Sequence, residues 1–424
     1  MKKAMLKTTL GLTACLASSH LLASGFALNE QSISGMGTSF AGRASAAEDA
    51  STVAGNPAGM SRLKREQVNL GAAAIFAKTD IDNGQGTFGG SNDGDMVPVV
   101  AVPMGYYVKP LSEQWTFGLG MYAPFGLKTD YESGFAGRYW GSKSEVQVVT
   151  LQPTISYAFN DRVSIGFGPT INRIEGELAS AAVNAATPGR NDGKVTIKGD
   201  DVAVGFNIGV LVQATDDTSI GLAYRSKVDY KLKGKTKIEG PGFSVFNGQK
   251  YDASLKLETP ESAELSITHQ LDDQWTLYAG STWTRWSRLQ SIDVNNSGVP
   301  AQLGGATGPI GRISEVQEWK NTWYHAIGAA YKLNNQWTLR TGLAMDQSPV
   351  SNSHRSPRIP TGDRKIFSLG AGYSPTEDIT IDFAYLYLRE EEAKLRDASA
   401  TKGAYNADFR NSAHTIGTSL TYKF

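Results

Sequence analysis

The last ten residues of the chain alternate without a break. Ile416, Thr418, Leu420, Tyr422 and Phe424 fall on one face, and Thr415, Gly417, Ser419, Thr421 and Lys423 on the other. Successive side chains of a strand point to opposite sides, so this strand has one apolar and one polar face. A strand of this kind ending on a C-terminal aromatic is how bacterial outer-membrane barrels close. A soluble sandwich strand would read the same way, and the rest of the chain decides between them.

No run of about 18 apolar residues follows the N-terminal segment, as a membrane helix would require. Long amphipathic helical patterns are missing, while Gly (46 residues) and Tyr (17) are plentiful. The class is all-β. The length is large for one soluble sandwich, whereas a barrel has no such limit because lipid solvates its outer face.

Three near-identical junctions recur: Leu111 to Thr116, Leu271 to Thr276 and Leu333 to Thr338, each ending in Gln-Trp-Thr. Phe159 to Val163, Ala214 to Thr218 and Ser374 to Asp378 have the same short, polar, turn-forming shape. Tyr, Phe and Trp flank them, as at a periplasmic rim. Between them lie long stretches rich in Gly, Asn, Asp and Ser, near 79–96, 127–142, 179–200, 235–250, 291–315, 347–362 and 391–407. Seven long loops alternating with six short turns give fourteen strands, with both termini on the periplasmic side. The expected fold is a 14-stranded antiparallel transmembrane β-barrel over residues 66–424.

Residues 1–23 read as a secretory signal, with Lys2, Lys3 and Lys7 before a small, apolar stretch. A lipoprotein box at Leu12 to Cys15 is the rival reading, with Cys15 acylated. Cys15 is the only cysteine, so a chain cleaved after Ala23 has no disulfide and no thiolate metal site. Formal net charge is zero, and no basic patch points to nucleic acid. His269, His325, His354 and His414 are dispersed without metal-ligand spacing. No cofactor or metal is expected. No motif supplies a hydrolase nucleophile, so an enzyme is not expected.

Residues 24–65 do not fit the strand pattern. They are rich in small residues and contain Asn56-Pro57-Ala58, where Asn-Pro initiates a turn. A fourteen-strand barrel encloses more space than its side chains fill. Phe26, Leu28, Ile33, Met36 and Phe40 suit a docked N-terminal hatch plugging the lumen; a periplasmic tail is the alternative.

Gly25 to Glu30 and Asn56-Pro57-Ala58 resemble segments of the long-chain fatty acid outer-membrane transporters, the FadL family. So do Tyr224-Arg225-Ser226, Arg340-Thr341-Gly342 with Asp346, Ser348-Pro349-Val350, Ile359-Pro360 and Asp363-Arg364. The likeness runs from Gly25 to Phe424. It implies a monomeric barrel with a hatch that takes up fatty acids or other hydrophobic molecules, including aromatic hydrocarbons in some branches. Substrate would stick to an apolar groove on the outer loops and move to a lumen site. The hatch would shift, and a kink in the third strand would release the substrate sideways into outer-membrane lipid.

Three features fit those roles. The third strand, from Trp115, breaks at Pro124-Phe125-Gly126, where Pro removes a ladder donor and Gly a side chain. That is the expected lateral gate; the alternative is an ordinary strand end. Phe243, Val245 and Phe246 sit on a loop beside Pro241 and Gly242, as an outer ligand-binding cluster or as self-packing. Lys320 matches the family's lumen lysine. It shares parity with Tyr324 and Ala326 and is expected to face inward and bind a carboxylate, with a solvated rim lysine as the alternative. A family arginine in the fifth strand is not reproduced: Leu178, beside Glu177, holds its place. A general or small-solute porin is the rival function, using a constricting loop and charged rings; the plug-like N-terminus speaks against it.

Overall fold

The computed structural model describes residues 25–424, so the expected leader and Cys15 lie outside the described residues. The chain forms one closed antiparallel sheet of fourteen barrel strands, five of them interrupted once. The first six are Gln67–Gly86, Val100–Pro110, Trp115–Asp130, Lys143–Ala158, Val163–Ala182 and Gly193–Thr215. The next four are split: Thr218–Arg225 with Val228–Glu239, Lys250–Thr259 with Ser262–Gln270, Trp275–Thr284 with Ser291–Ser297, and Arg312–Val316 with Thr322–Lys332. Trp337–Asp346, Arg364–Tyr373, Ile379–Glu390 with Ala393–Ser399, and Gly403–Lys423 complete the ring. The last strand pairs with the first from Gln67↔Lys423 to Gly86↔Tyr405, which leaves no free edge there. No helix among the described residues is long and apolar enough to cross a membrane.

The repeated junctions are made by one local device. Asp272 Oδ1 accepts from the amides of Gln274 and Trp275 at 2.8 and 2.7 Å. Asn334 Oδ1 does the same for Gln336 and Trp337, at 2.8 and 2.9 Å. Ser112 Oγ accepts from Trp115 at 3.0 Å. Short polar side chains thus satisfy the turn amides. Each Trp then packs on a Tyr of the adjoining strand: Trp115 on Tyr157, Trp275 on Tyr331 and Trp337 on Tyr373, at 4.6–4.7 Å between ring centroids.

The long connections are more structured than their composition predicts. The first strand runs on to Gly86, the stretch near 291–315 carries two strand segments, and 391–407 is a hairpin pairing Ala393–Ser399 with the last strand. Their polar residues alternate too, which hid the strands among loop-like composition.

Residues 25–65 lie against the inward face of the sheet. They hold two short helical turns, Ile33–Met36 and Thr52–Gly55, and a 3-10 helix, Pro57–Arg62. Inward glycines let this segment rest on the wall. A Cβ at Gly166 would overlap Pro57, at Gly221 the Ala44 carbonyl, and at Gly342 Thr38.

Candidate functional site

The third strand does not end at Gly126, as its composition led us to expect, but continues to Asp130. Its pairing changes there. The ladder with the second strand stops at Gly105↔Met121, and that with the fourth skips between Tyr122 and Phe125. The second strand from Val100 to Met104 keeps only its partner in the first. A small pocket between Ala101, Pro103, Met121 and Phe125 marks the opening. The N-terminal segment satisfies the freed backbone. Leu28 N donates to Pro124 O at 2.9 Å, Gly126 N donates to Phe26 O at 2.8 Å, and Ala27 bridges Phe125. Unpaired backbone at membrane depth is costly, and three residues of extended chain remove that cost.

Behind this patch stands a cluster of rings. Phe26 lies 4.9 Å from Trp286, 5.9 Å from Trp319 and 5.7 Å from Phe125, between ring centroids. Trp286 and Trp319 pack edge to face at 5.0 Å. Gly25, at φ +63°, is forced by this packing, because a Cβ there would lie 2.6 Å from the Trp319 ring. The indole N–H groups of Trp286 and Trp319 are buried without an acceptor among the described residues. A buried donor left unpaired costs about 1–3 kcal/mol.

The same apolar cluster includes Ile174, Leu232 and Leu257. These also line a pocket with Leu178, Ile197, Leu255, Ile292 and Val294, almost wholly apolar. Leu178, at the place of the missing family arginine, therefore points into an apolar lining. Ile197 in turn packs on the outer-loop cluster of Val195, Ile238, Tyr251 and Ile310. Phe243 and Phe246 join that cluster half-buried, with Val299 and Leu303 of another loop, while Val245 is 81% exposed. The three loop residues thus divide: two self-pack and one stays open to solvent.

Lys320 is not where its parity placed it. Residues 317–321 belong to no strand, the alternation with Tyr324 lapses, and Trp319 is the buried residue. Lys320 is exposed, with its amide bonded to Pro349 O at 3.0 Å. Its side chain forms no ion pair among the described residues.

Asn56, fully buried, starts the 3-10 helix: its Oδ1 accepts from Ala58 N at 3.0 Å. Its Nδ2 donates to Ala44 O at 2.6 Å and to Val210 O of the wall at 3.0 Å. Pro57 and Ala58 lie on Gly166. Ion pairs add to these contacts. Arg43 meets Glu264 at 2.9 Å, Arg225 meets Glu264 at 3.4 Å, and Arg340 bridges Glu48 and Asp382 at 2.9 and 2.8 Å. Arg225 also caps the Thr52–Gly55 turn, donating to Gly55 O at 2.7 Å. Burial raises the carboxyl pKa of Glu30, opposed by the Asn29 amide and by the positive charges of Arg364 and Arg43.

A closed barrel, an inner N-terminal segment and a locally unpaired third strand are now in place. Residues 14–424 match the model of a family described as outer membrane protein transport protein (OMPP1/FadL/TodX). The chain belongs to this family. It is a family of outer-membrane transport proteins, not of enzymes. The long-chain fatty acid transport protein of Escherichia coli O6:H1 (strain CFT073) is 28% identical, over 99% of this chain and 98% of its own length. Outer membrane protein P1 of Haemophilus influenzae is 29% identical, over 96% and 98%. The crystal structure of a Pseudomonas aeruginosa FadL homologue superposes with TM-score 0.85 at 26% identity, covering 94% of this chain and 100% of that one. The Pseudomonas putida toluene transporter TodX shares the fold, with TM-score 0.71 at 19% identity over 92% and 97%.

Within this family frame, two groups of residues escaped the sequence reading. Trp286 and Trp319 fall in strand interruptions, where period-2 reasoning assigns no direction. The glycines under the N-terminal segment were visible as even-spaced inward positions, such as Gly118 and Gly120, but their purpose needs a partner surface to be known.

Proposed function

We propose that this chain takes up long-chain fatty acids or related hydrophobic molecules across the outer membrane. Ligand is captured at the outer loops near Val245, enters the apolar lining around Leu178 and Leu232, and reaches the rings of Trp286 and Trp319. Movement of the N-terminal segment, acting as a hatch, then opens Pro124-Phe125-Gly126 and releases the ligand sideways into lipid. The position of Phe26 carries this reading. Its ring packs on Phe125 and on the lumen rings Trp286 and Trp319 together, beside a direct Phe125–Trp286 contact at 6.1 Å, and its own backbone fills the gap in the wall. Displacing one short segment joins the two spaces. A lateral route also suits the cargo, since each CH₂ passed into water would cost about 0.8 kcal/mol.

The lining favours carbon chains over charged solutes. A carboxylate would find the indole donors of Trp286 and Trp319, and Lys320 as a cation beside them in the chain. The relatives are named for fatty acids and for toluene, and this pocket suits both. The test is growth of a strain deleted for the gene, with and without the gene restored, on long-chain acids, alkanes and monoaromatics as carbon sources. Restored growth on at least one class is expected. Restoration on none, with high single-channel conductance of the purified protein, would make it a porin instead.

A further inference from the structure

The outer wall of the barrel carries a charge pattern that the transport reading does not use. The registers set His325, Met345, Lys365, Arg389, Ser412 and Lys78 side by side on six adjacent strands. All six share the outward parity of Ile327, Leu343, Phe367, Tyr385, Ile416 and Phe76. Lys365, Arg389 and Lys78 therefore form a cationic row on the lipid-facing side with no carboxylate in it.

The row lies at the upper edge of the apolar band. Lys365 precedes Tyr373, the partner of Trp337 in the Trp rim, by eight residues, and Arg389 follows Ile379 by ten. At about 3.3 Å per residue and a tilt near 40°, they stand roughly 20–25 Å above that rim, where an apolar band about 25 Å tall gives way to headgroups. Phe367, Tyr387 and Phe76 are the last rings below them.

Carboxylates nearby neutralise the row only in part, and leave Arg389 as its unpaired charge. Lys365 reaches Glu391 at 3.6 Å and Lys78 reaches Asp80 at 3.7 Å, all four side chains more than half exposed. Arg410, one step further out, takes Asp82 at 2.7 Å. Arg389, in the middle, has no partner among the described residues. Elsewhere on the outer wall the balance differs: Arg173 is held between Glu175 and Asp200, at 2.9 and 3.5 Å. Like charges on facing strand positions repel, and cations at a lipid boundary are stabilised by anionic headgroups.

A groove adjoins the row. Ala279 is its floor, Leu265 and Ile267 line one side, Ile327 and Leu343 the other, and Lys365 its far rim. His325 and Ser281, hydrogen-bonded at 2.8 Å, lie at its upper end. An apolar trough beside a cationic row fits an acyl chain joined to a phosphate.

We propose that this face is a binding site for a phosphate-bearing lipid of the outer leaflet, with Lys365, Arg389 and Lys78 on the phosphates and an acyl chain in the Ala279 groove. The proposal is independent of the route taken by transported substrate.

The test uses the folded, detergent-solubilised protein and three probes: a bisphosphorylated acylated glucosamine disaccharide, the same lipid with its phosphates removed, and inorganic phosphate. Retained lipid is read by native mass spectrometry. Wild type should hold the phosphorylated lipid and release the dephosphorylated one. Each of Lys78→Gln, Lys365→Gln and Arg389→Gln should weaken retention about fivefold, and the triple variant about a hundredfold. Ala279→Leu should weaken it with the cations intact. Unchanged heat-dependent gel mobility checks the fold, and Arg389→Gln alone serves if the triple variant does not assemble. Equal retention of both lipids, or an unaffected Arg389→Gln, overturns the proposal. Displacement by equimolar inorganic phosphate overturns it in favour of a free-phosphate site.

Discussion

The amide of Gly126 donates to the carbonyl of Phe26 at 2.8 Å, so the wall of this barrel is completed by its own N-terminus. The bridge between Ala27 and Phe125 makes the contact strand-like. Paired residues of antiparallel chains lie about 4.5–5.5 Å apart between Cα atoms, within the span of a disulfide. Cys15 is the only native cysteine and lies in the expected leader. Ala27→Cys with Phe125→Cys should therefore cross-link cleanly. The oxidised protein should bind substrate but not pass it, and reductant should restore uptake. Normal uptake by the oxidised form would place the exit elsewhere.

The glycines beneath the N-terminal segment give a second handle. Thr38 lies directly on Gly342, leaving no room for a side chain. Overpacking typically costs about 1–3 kcal/mol. The segment, held by side-chain contacts and not by a ladder, should yield before the wall, whose ladder at Gly328↔Gly342↔Ser368 is continuous. Gly342→Leu should assemble as a barrel, judged by gel mobility, yet conduct ions more readily in planar bilayers. Unchanged conductance would mean that the segment does not close the lumen.

The barrel was legible because two simple periods coincide. Alternation marked the strands, and Gln-Trp-Thr junctions marked where they turn, so fourteen strands followed from the sequence. The site was legible only in part. Pro124 and Gly126 announce a disturbance, but not that Phe26 and Leu28 repair it, since nothing local encodes a partner about a hundred residues away. The inward parity read for Lys320 lapsed for a related reason. Parity counts hold only while a strand continues, and the chain leaves the sheet between Val316 and Thr322. Leu178 was read as a missing charge; its side chain instead completes an apolar surface.

Glu264 anchors two arginines, Arg43 of the N-terminal segment and Arg225 of the wall, and is 2% exposed. Removing the charge leaves two buried guanidinium groups uncompensated, which typically costs about 3–5 kcal/mol. Release of residues 25–65 is the cheaper response. In Glu264→Gln, trypsin should cut after Arg43 or Arg62 much faster than in wild type, while the barrel stays heat-stable. Equal protection in both proteins would show that the pair does not hold the segment.

Acidity should also act on docking, through Glu30. Burial raises its carboxyl above the ordinary 4.5, with the Asn29 amide, Arg364 and Arg43 opposing the shift. The docked state therefore favours the protonated form. This contribution to docking is full below the free value and is lost as pH rises through the docked value. Wild-type conductance should thus rise as pH is raised from below 4.5 to above it. Glu30→Gln, which mimics the protonated side chain, should remove that part of the pH dependence and conduct less than wild type at neutral pH. An identical pH profile in the variant would exclude Glu30.

The choice between acid and neutral cargo turns on Lys320 and Leu178. Lys320 is exposed, so its attraction for a carboxylate is screened. A charge-assisted hydrogen bond is worth about 1.5–3 kcal/mol, and exposure puts this one at the lower end. Lys320→Ala should weaken binding of a long-chain acid about tenfold, with little effect on the alcohol of equal length. Leu178→Arg should do the reverse. A guanidinium in that apolar lining needs an anion, so acid affinity should rise and alcohol affinity fall, both read by tryptophan fluorescence from Trp286 and Trp319. Equal losses for acid and alcohol in Lys320→Ala would remove that lysine from carboxylate binding.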